Sequence, residues 1–307
     1  MKEFGVLVPI VTPCSKNGEI DYRGLECVYD YMVNAGCNGT FVAGSTGRGP
    51  WFSLDERRKI CKTIAGKRDE GKKLFAGCMG TGLKEMLQNA CVMADSGADI
   101  AVVTAPFYFK YNQKEIEYIF LKFAEACPLP VLIYDIPDFT GTKLDTAMVF
   151  RLASHGNIIG FKDSSSDAGR FKELTSILES IDNFYLLQGK EHILAETILA
   201  GASGLVVSFL HIDPLPFVRL YQAARSKKID LAFRIQIEIT RLYRLVTECF
   251  DKRPGMSTLF YLLNYCLKKR GICENILMAY EDDFPDWLEV KAEEAMNICK
   301  LIGFIKE

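Results

Sequence analysis

The chain has 307 residues, of which 49% are hydrophobic, so it can bury a core as large as that of one α/β barrel. Lysine and arginine total 37 against 39 acidic residues, and the net charge of −2 argues against nucleic acid or an anionic membrane as a partner. The eleven cysteines form no Cys-x-x-Cys pair, which argues against a disulfide framework, a zinc site or an iron–sulfur cluster.

Short apolar runs alternate with helical patterns over the first two thirds of the chain, and this alternation predicts successive βα units. Strands are predicted at residues 4–12, 40–43, 74–78, 100–104, 131–135, 158–162, 184–187 and 204–208. Helices are predicted at residues 22–33, after a capping box at residues 53–56, and from near residues 84, 113, 144, 168, 192 and 214. Eight units at intervals of about thirty residues predict a closed (β/α)₈ TIM barrel, with a doubly wound open sheet as the alternative.

The last quarter of the chain has a different pattern. No strand signal follows residue 228, and amphipathic runs at 229–249, 257–269 and 285–302 predict helices. We therefore predict a catalytic barrel over residues 1–227 and a helical C-terminal extension over residues 228–307.

Neither a signal peptide nor a membrane span is predicted from the hydropathy pattern. Residues 1–10 lack a basic region followed by a long apolar core, and the longest uncharged run, 197–212, is shorter than the ~20 residues that a span needs. The three histidines show no ligand spacing. We expect a soluble, cytoplasmic protein that acts on small molecules without a metal or cofactor.

Lys162 is the first candidate for chemistry, because it stands where the apolar run that begins at Ile158 stops. The carboxyl ends of parallel strands are where α/β folds place their active sites. Partial burial would lower the pKa of this amine and make it a nucleophile for a carbonyl substrate. The alternative is a lysine that simply extends to solvent.

Polar groups follow other predicted strands. After the second strand, Ser45, Thr46 and Gly47 offer hydroxyls and backbone N–H groups that suit a carboxylate, although a tight turn would have the same composition. Tyr134 ends the fifth strand and would lie beside Lys162, within range for proton transfer.

Three motifs, taken in order and with their spacing, resemble the dihydrodipicolinate synthase / N-acetylneuraminate lyase family. They are Gly-Ser-Thr-Gly at 44–47, Tyr-x-x-Pro-x-x-Thr-Gly at 134–141 and Gly-x-Lys-Asp-Ser at 160–164. The match extends from about residue 4 to residue 210. The resemblance implies a barrel with a helical extension, assembled as a homotetramer, that uses pyruvate through a lysine imine.

The resemblance also implies roles for single residues. Lys162 would be the Schiff-base nucleophile, and Tyr134 would be the general acid/base. Ser45 and Thr46 would hold the pyruvate carboxylate, with the Thr46 hydroxyl also in the proton relay. Tyr108 matches a tyrosine that, in the synthases, crosses the subunit interface to complete that relay.

The departures from the family pattern bear on the substrate. Phe139 stands where the synthases carry an arginine for a second carboxylate, and Arg48 lies in a Gly-x-Gly-Pro loop similar to that of 2-keto-3-deoxygluconate aldolases. Gly189, Glu191 and Ser208 fall where sialic acid lyases bind sugar hydroxyls. We therefore expect a lyase that cleaves a 2-keto-3-deoxy sugar acid to pyruvate and an aldehyde.

Two alternatives stay open. The chain could be a 4-hydroxy-tetrahydrodipicolinate synthase that condenses pyruvate with aspartate semialdehyde, with Arg48 meeting the semialdehyde carboxylate. It could also be a non-catalytic barrel that binds a keto acid. The sequence leaves open the natural substrate, the stereochemistry and whether a dehydration follows imine formation.

Overall fold

The computed structural model describes residues 3–281 and 283–305. Eight parallel strands pair in chain order, and β8 pairs with β1, so the sheet closes into a barrel. This confirms the predicted TIM barrel and excludes the open sheet. The strands are β1 (Gly5–Pro9), β2 (Gly39–Val42), β3 (Lys73–Gly77), β4 (Ile100–Val103), β5 (Val131–Asp135), β6 (Ile158–Asp163), β7 (Tyr185–Gln188) and β8 (Gly204–Leu205).

Helices separate the strands and continue beyond the barrel. Those between or directly after strands are α1 (Tyr22–Asn34), α2 (Leu54–Lys67), α3 (Leu83–Ala94), α4 (Gln113–Ala126), α5 (Pro137–Thr140), α6 (Thr146–Ala153), α7 (Ala168–Leu178), α8 (Leu194–Ala200) and α9 (Leu215–Arg225). The C-terminal helices are α10 (Ile229–Lys252), α11 (Met256–Lys269) and α12 (Asp286–Gly303). The division into two units at residue 228 stays a prediction.

The start of α2 shows how local sequence sets an element. Ser53 accepts a hydrogen bond from the Glu56 N–H, and the Glu56 carboxylate accepts one from the Ser53 N–H at 2.7 Å, which is the predicted capping box. Asn112 and Glu115 form a second box at the start of α4. Each box satisfies N–H groups that have no partner within the helix.

The predicted strand at 4–12 is shorter in the structure, where β1 is Gly5–Pro9, and a second difference lies after β7. The predicted strand at 204–208 ends at Leu205, because the chain turns into a 3₁₀ helix at Ser208–His211. The N–H groups of Ser208 and Phe209 donate to the Glu191 carboxylate instead of to a neighbouring strand. The helix expected near residue 192 begins at Leu194, after a 3₁₀ turn at Glu191–Ile193.

The amino-terminal end of the barrel is closed by aromatic side chains. The Phe4 ring stacks on Tyr185 with centroids 3.8 Å apart and meets Phe75 edge-on at 5.1 Å. Above them the inward-facing residues form an apolar cluster: Leu7, Phe41, Phe75, Ile100, Val102, Leu132, Tyr134, Ile136, Leu187 and Val206. The interior is therefore a packed core that opens only at the carboxyl ends of the strands.

A register shift in β6 decides which of its residues face inward. Val131 of β5 pairs with Ile158, but the next residue, Leu132, pairs with Gly160. Ile159 packs against the inner cluster, whereas Phe161 lies in the core between barrel and helices. The extra residue is a β-bulge, and it brings Lys162 opposite Tyr134.

All eleven cysteines are free thiols. Among the described residues, no helix is both long and apolar enough to cross a membrane.

Candidate active site

Lys162 lies on β6 at the open end of the barrel, paired with Tyr134 of β5 and Leu187 of β7. Only 4% of the lysine is exposed. Burial lowers the pKa of its amine to about 7, the Glu191 carboxylate opposes this shift, and the Lys190 ammonium adds to it. Near neutral pH a large fraction of Lys162 is therefore the neutral amine, which is the nucleophilic form.

Tyr134 lies directly against this amine. The Lys162 Nζ is 3.8 Å from the centroid of the Tyr134 ring and 5.5 Å from that of Phe41. Burial raises the pKa of the Tyr134 phenol to about 12, and hydrogen bonds with Ser164 and Ser45 partly oppose the shift. The phenol is thus protonated at neutral pH and can give a proton to a developing alkoxide.

The loop after β2 presents Ser45 and Thr46 to the same cavity. Its first residue, Ala43, has a φ of 52°, in the left-handed region that non-glycine residues rarely adopt. A Cβ at Gly49 would lie 1.8 Å from the Ala43 carbonyl oxygen, so the loop can close this tightly only with glycine there. The Thr12 hydroxyl donates to the Gly47 carbonyl at 2.8 Å. These contacts fix the loop before any ligand binds.

Two serine hydroxyls, those of Ser164 and Ser45, hydrogen-bond the Tyr134 phenol. The place of Thr46 in the proton relay stays a prediction. Thr46 lines the cavity. Tyr108 is 72% exposed, meets Phe109 edge-on, and is not among the residues that line the cavities described below.

Glu191 and Ser208, predicted to bind sugar hydroxyls, contact each other. Glu191 is buried, and its Oε1 accepts hydrogen bonds from the Ser208 N–H and Oγ, both at 3.1 Å. Burial raises the pKa of this carboxyl, and the hydrogen bonds from Ser208 and Phe209 oppose the shift. Much of the hydrogen-bonding capacity assigned to a substrate is therefore used within the protein.

Gly189, the third residue in that predicted set, leaves room for the nucleophile. A Cβ there would lie 2.0 Å from the Ser164 Oγ and 3.0 Å from the Lys162 Cε. The Gly189 N–H donates to the Gln188 side chain at 2.8 Å. The glycine therefore permits the packing of Lys162 and Ser164.

A buried ionic cluster lies behind the two strands that carry Tyr134 and Lys162. Arg170 of α7 pairs with Asp135 at 2.8 Å and with Asp163 at 2.9 Å. Burial raises the pKa of Asp135 to about 6, and the Arg170 guanidinium opposes this shift. The cluster ties the start of α7 to the ends of β5 and β6, and so holds the strand ends in place.

Two adjoining cavities open at the mouth. The first, of about 360 Å³, is lined by Lys162, Tyr134, Ser45 and Thr46 among others. The second, of about 310 Å³, shares Ser45, Ile136, Phe139 and Met256 with it. We call them the imine cavity and the side cavity.

Several residues of these walls were not predicted. Ser164 lies in the Gly160–Ser164 motif but had received no role. Tyr243, Val246, Thr247 and Phe250 of α10 and Met256 and Leu259 of α11 also line the imine cavity. These helical residues follow an ordinary amphipathic pattern, which carries no signal of a site.

Arg48 lines the side cavity together with Phe139. Its side chain is 5% exposed, and its guanidinium donates to the Glu281 carboxylate at 2.6 Å and lies 3.7 Å from the centroid of the Phe260 ring. Among residues 3–281 and 283–305, no group of three or more His, Cys, Asp or Glu side chains is arranged to hold a metal ion.

Comparison with known proteins identifies what this architecture resembles. The model of the dihydrodipicolinate synthetase family matches residues 2–276. A 4-hydroxy-tetrahydrodipicolinate synthase from Methanothermobacter thermautotrophicus is 28% identical over 277 residues, covering 90% of this chain and 96% of that protein. The enzyme of the same name from Coxiella burnetii is 31% identical over 245 residues, covering 78% of this chain and 81% of that protein.

Solved structures agree with these matches. Dihydrodipicolinate synthase from Bacteroides thetaiotaomicron has a TM-score of 0.87 at 27% identity, covering 97% of this chain and 99% of that one. CdNal from Clostridium difficile, in complex with mannosamine, has a TM-score of 0.86 over the same shares of the two chains. Its identity of 20% shows the fold alone.

The expected cleavage of a 2-keto-3-deoxy sugar acid is contradicted by these relatives, which carry the synthase name. That expectation rested on Phe139, which stands where the synthases carry an arginine, on the loop around Arg48, and on Gly189, Glu191 and Ser208. The structure places the cation Arg48 in the same cavity wall as Phe139. The absence of an arginine at one position therefore did not show that the site lacks one.

Proposed function

The chain belongs to the dihydrodipicolinate synthetase family, whose members are pyruvate-dependent Schiff-base enzymes, and we propose that it is a 4-hydroxy-tetrahydrodipicolinate synthase. The reaction joins pyruvate to aspartate semialdehyde. The observation that carries the proposal is Lys162, a buried amine with a pKa lowered to about 7 that packs 3.8 Å from the ring of Tyr134. The 31% identity with a 4-hydroxy-tetrahydrodipicolinate synthase supports the choice of second substrate.

The first chemical step uses Lys162 as the nucleophile. Its neutral Nζ attacks the C2 carbonyl of pyruvate, and loss of water gives a protonated imine. Ser45 and Thr46 in the rigid loop after β2 offer hydroxyls to the pyruvate carboxylate. The imine withdraws electrons, so the water released in that step can accept a proton from C3, and the enamine forms.

The second step forms the carbon–carbon bond. The enamine C3 attacks the aldehyde carbon of the semialdehyde, and the aldehyde oxygen takes a proton that Tyr134 supplies. The hydrogen bond between Tyr134 and Ser45 supports a relay through Ser45. The amine of the semialdehyde then attacks C2, which closes the ring and releases Lys162.

The family resemblance supports two further proposals. Tyr108, exposed on a single chain, would extend the relay from a neighbouring subunit in a homotetramer. A cytoplasmic location likewise stays a proposal.

Borohydride trapping tests the imine. Reduction in the presence of pyruvate, followed by peptide mass mapping, should place the adduct on Lys162. Lys190 is the internal control, because it lines the same cavity but pairs with Asp138 at 3.0 Å. Binding of pyruvate without an adduct would identify a non-catalytic keto-acid-binding barrel.

A rate measurement tests the second substrate. Pyruvate and aspartate semialdehyde should react with a kcat/KM above ~10⁴ M⁻¹s⁻¹, in the ordinary range for enzymes. If the adduct forms on Lys162 but the semialdehyde does not react at such a rate, the pyruvate chemistry stands and the synthase assignment is wrong.

A further inference from the structure

We propose that Arg48 is the residue that binds the carboxylate of the aldehyde substrate, and that the side cavity is where this end of the substrate lies. The inference rests on the proposed function, because it assumes an aldehyde that carries a carboxylate. Removing that anion from water is costly unless a cation pairs with it. The cavity walls contain few candidates for the cation.

Of the residues that the structure describes, three cations line the two cavities. Lys162 is consumed by the imine with pyruvate. Lys190 pairs with Asp138 at 3.0 Å, and that aspartate is largely exposed. Arg48 is the only charged residue that lines the side cavity, within the part of the chain that the structure describes. A carboxylate that extends from the imine cavity past Ser45 and Phe139 therefore enters the cavity of Arg48.

The guanidinium has unused hydrogen-bonding capacity. Its Nη2 donates to Glu281, but its Nη1 is buried and has no hydrogen-bond partner. A buried donor without a partner destabilises a fold, so a purely structural residue at this position would do better as an apolar side chain. A carboxylate would satisfy this donor, since guanidinium presents its N–H groups as a fork that matches two carboxylate oxygens.

Arg48 is also held in one orientation. Phe260 supports the flat face of the guanidinium at 3.7 Å, and Glu281, which is 2% exposed, fixes one edge. The Glu281 Oε2 in turn accepts the Met278 N–H at 2.9 Å. Glu281 and Phe260 are therefore positioning residues, and binding needs little ordering of the arginine.

The experiment compares two aldehydes that differ only in the carboxylate. Pyruvate consumption is measured with aspartate semialdehyde and with 3-aminopropanal, the same molecule without the carboxylate, in the wild type and in Arg48→Met. We expect kcat/KM for the semialdehyde to fall by about 10²-fold in the variant. The slower rate with 3-aminopropanal and the trapping of pyruvate should change by no more than a few-fold.

Arg253→Met is the matched control. Arg253 also lies over an aromatic ring, 4.5 Å from the Phe284 centroid, and bonds the C-terminal segment at the Asp283 carbonyl, but it lines neither cavity. It should lose stability without losing discrimination between the aldehydes. If Arg48→Met does not fold, Arg48→Lys, which keeps the charge but not the fork, should lose part of the discrimination.

The outcomes separate this proposal from the proposed function. A wild type that does not use the semialdehyde would contradict the synthase assignment. If the wild type uses the semialdehyde but Arg48→Met slows the reactions of the two aldehydes equally, or slows neither, the role of Arg48 is overturned and the synthase assignment stands. The role of Arg48 would also be overturned if Lys190→Met, and not Arg48→Met, lost the discrimination between the two aldehydes.

Discussion

The two ends of the barrel bury their side chains equally well but use that burial differently. At the closed end Phe75 is 1% exposed among apolar neighbours, so its burial stabilises the fold by about 1.5–3 kcal/mol. At the open end Lys162 is 4% exposed, and its burial lowers the pKa of the amine to about 7. The same low-dielectric interior thus provides stability at one end and reactivity at the other.

Removing one hydroxyl at the open end should give the largest difference in turnover between substitutions at the two ends. Tyr134→Phe keeps the ring that packs against Lys162 but removes the acid, so we expect turnover to fall by ~10²- to 10⁴-fold while pyruvate still forms a reducible imine. Steady-state rates and borohydride trapping would measure the two effects. Tyr185→Phe, at the closed end, is the control and should leave turnover within a few-fold. A similar small loss in Tyr134→Phe would make Tyr134 a packing residue.

The converse change concerns the closed end. Phe75→Ala leaves a cavity beside the Phe4 ring, and we expect it to reduce the free energy of unfolding by about 3–5 kcal/mol. Urea denaturation would give this value. Because Phe75 lines neither cavity, kcat per folded molecule should change little. A loss of kcat as large as that expected for Tyr134→Phe would show that the two ends are not separable.

The smallest effect is the pH dependence of imine formation. Only the neutral form of Lys162 attacks pyruvate, so the single-turnover rate should be constant above a midpoint near pH 7 and fall about tenfold per pH unit below it. Since the Glu191 carboxylate raises the pKa of Lys162, Glu191→Gln should move the midpoint to lower pH. A wild-type midpoint near the ordinary lysine value of 10.5 would contradict the effect of burial.

The sequence predicted the barrel and the strand-end groups for one physical reason. Parallel strands of a closed barrel end at the same mouth, so Lys162, Tyr134 and Ser45 could be brought together without knowledge of side-chain positions. The order of the strands and the apolar runs were sufficient for this. The structure adds that the Ser45 and Ser164 hydroxyls lie next to Tyr134, and the position of Ser45 depends on how the loop turns at Ala43.

Contacts from the last quarter of the chain could not be predicted in the same way. Glu281 meets Arg48 from 233 residues away, and Met256 enters both cavities from the start of α11. Neither residue belongs to a motif, and their approach depends on how α10–α12 pack on the barrel. The substrate prediction weighed Phe139 against Arg48 without these contacts, because Glu281 and Phe260, which hold Arg48, both come from the last quarter of the chain.

The bulge in β6 has a consequence for how this strand can change during evolution. Ile159 faces the interior, whereas Phe161 faces the surrounding helices. The bulge supplies one extra residue between Ile158 and Lys162, and the inward direction of Lys162 depends on this extra residue. Deleting that residue would reverse the alternation and turn Lys162 toward the helices, with Phe161 left at the mouth. The strand can therefore accept a change of residue type far more readily than a change of residue number, and we expect insertions and deletions to be confined to the loops around it.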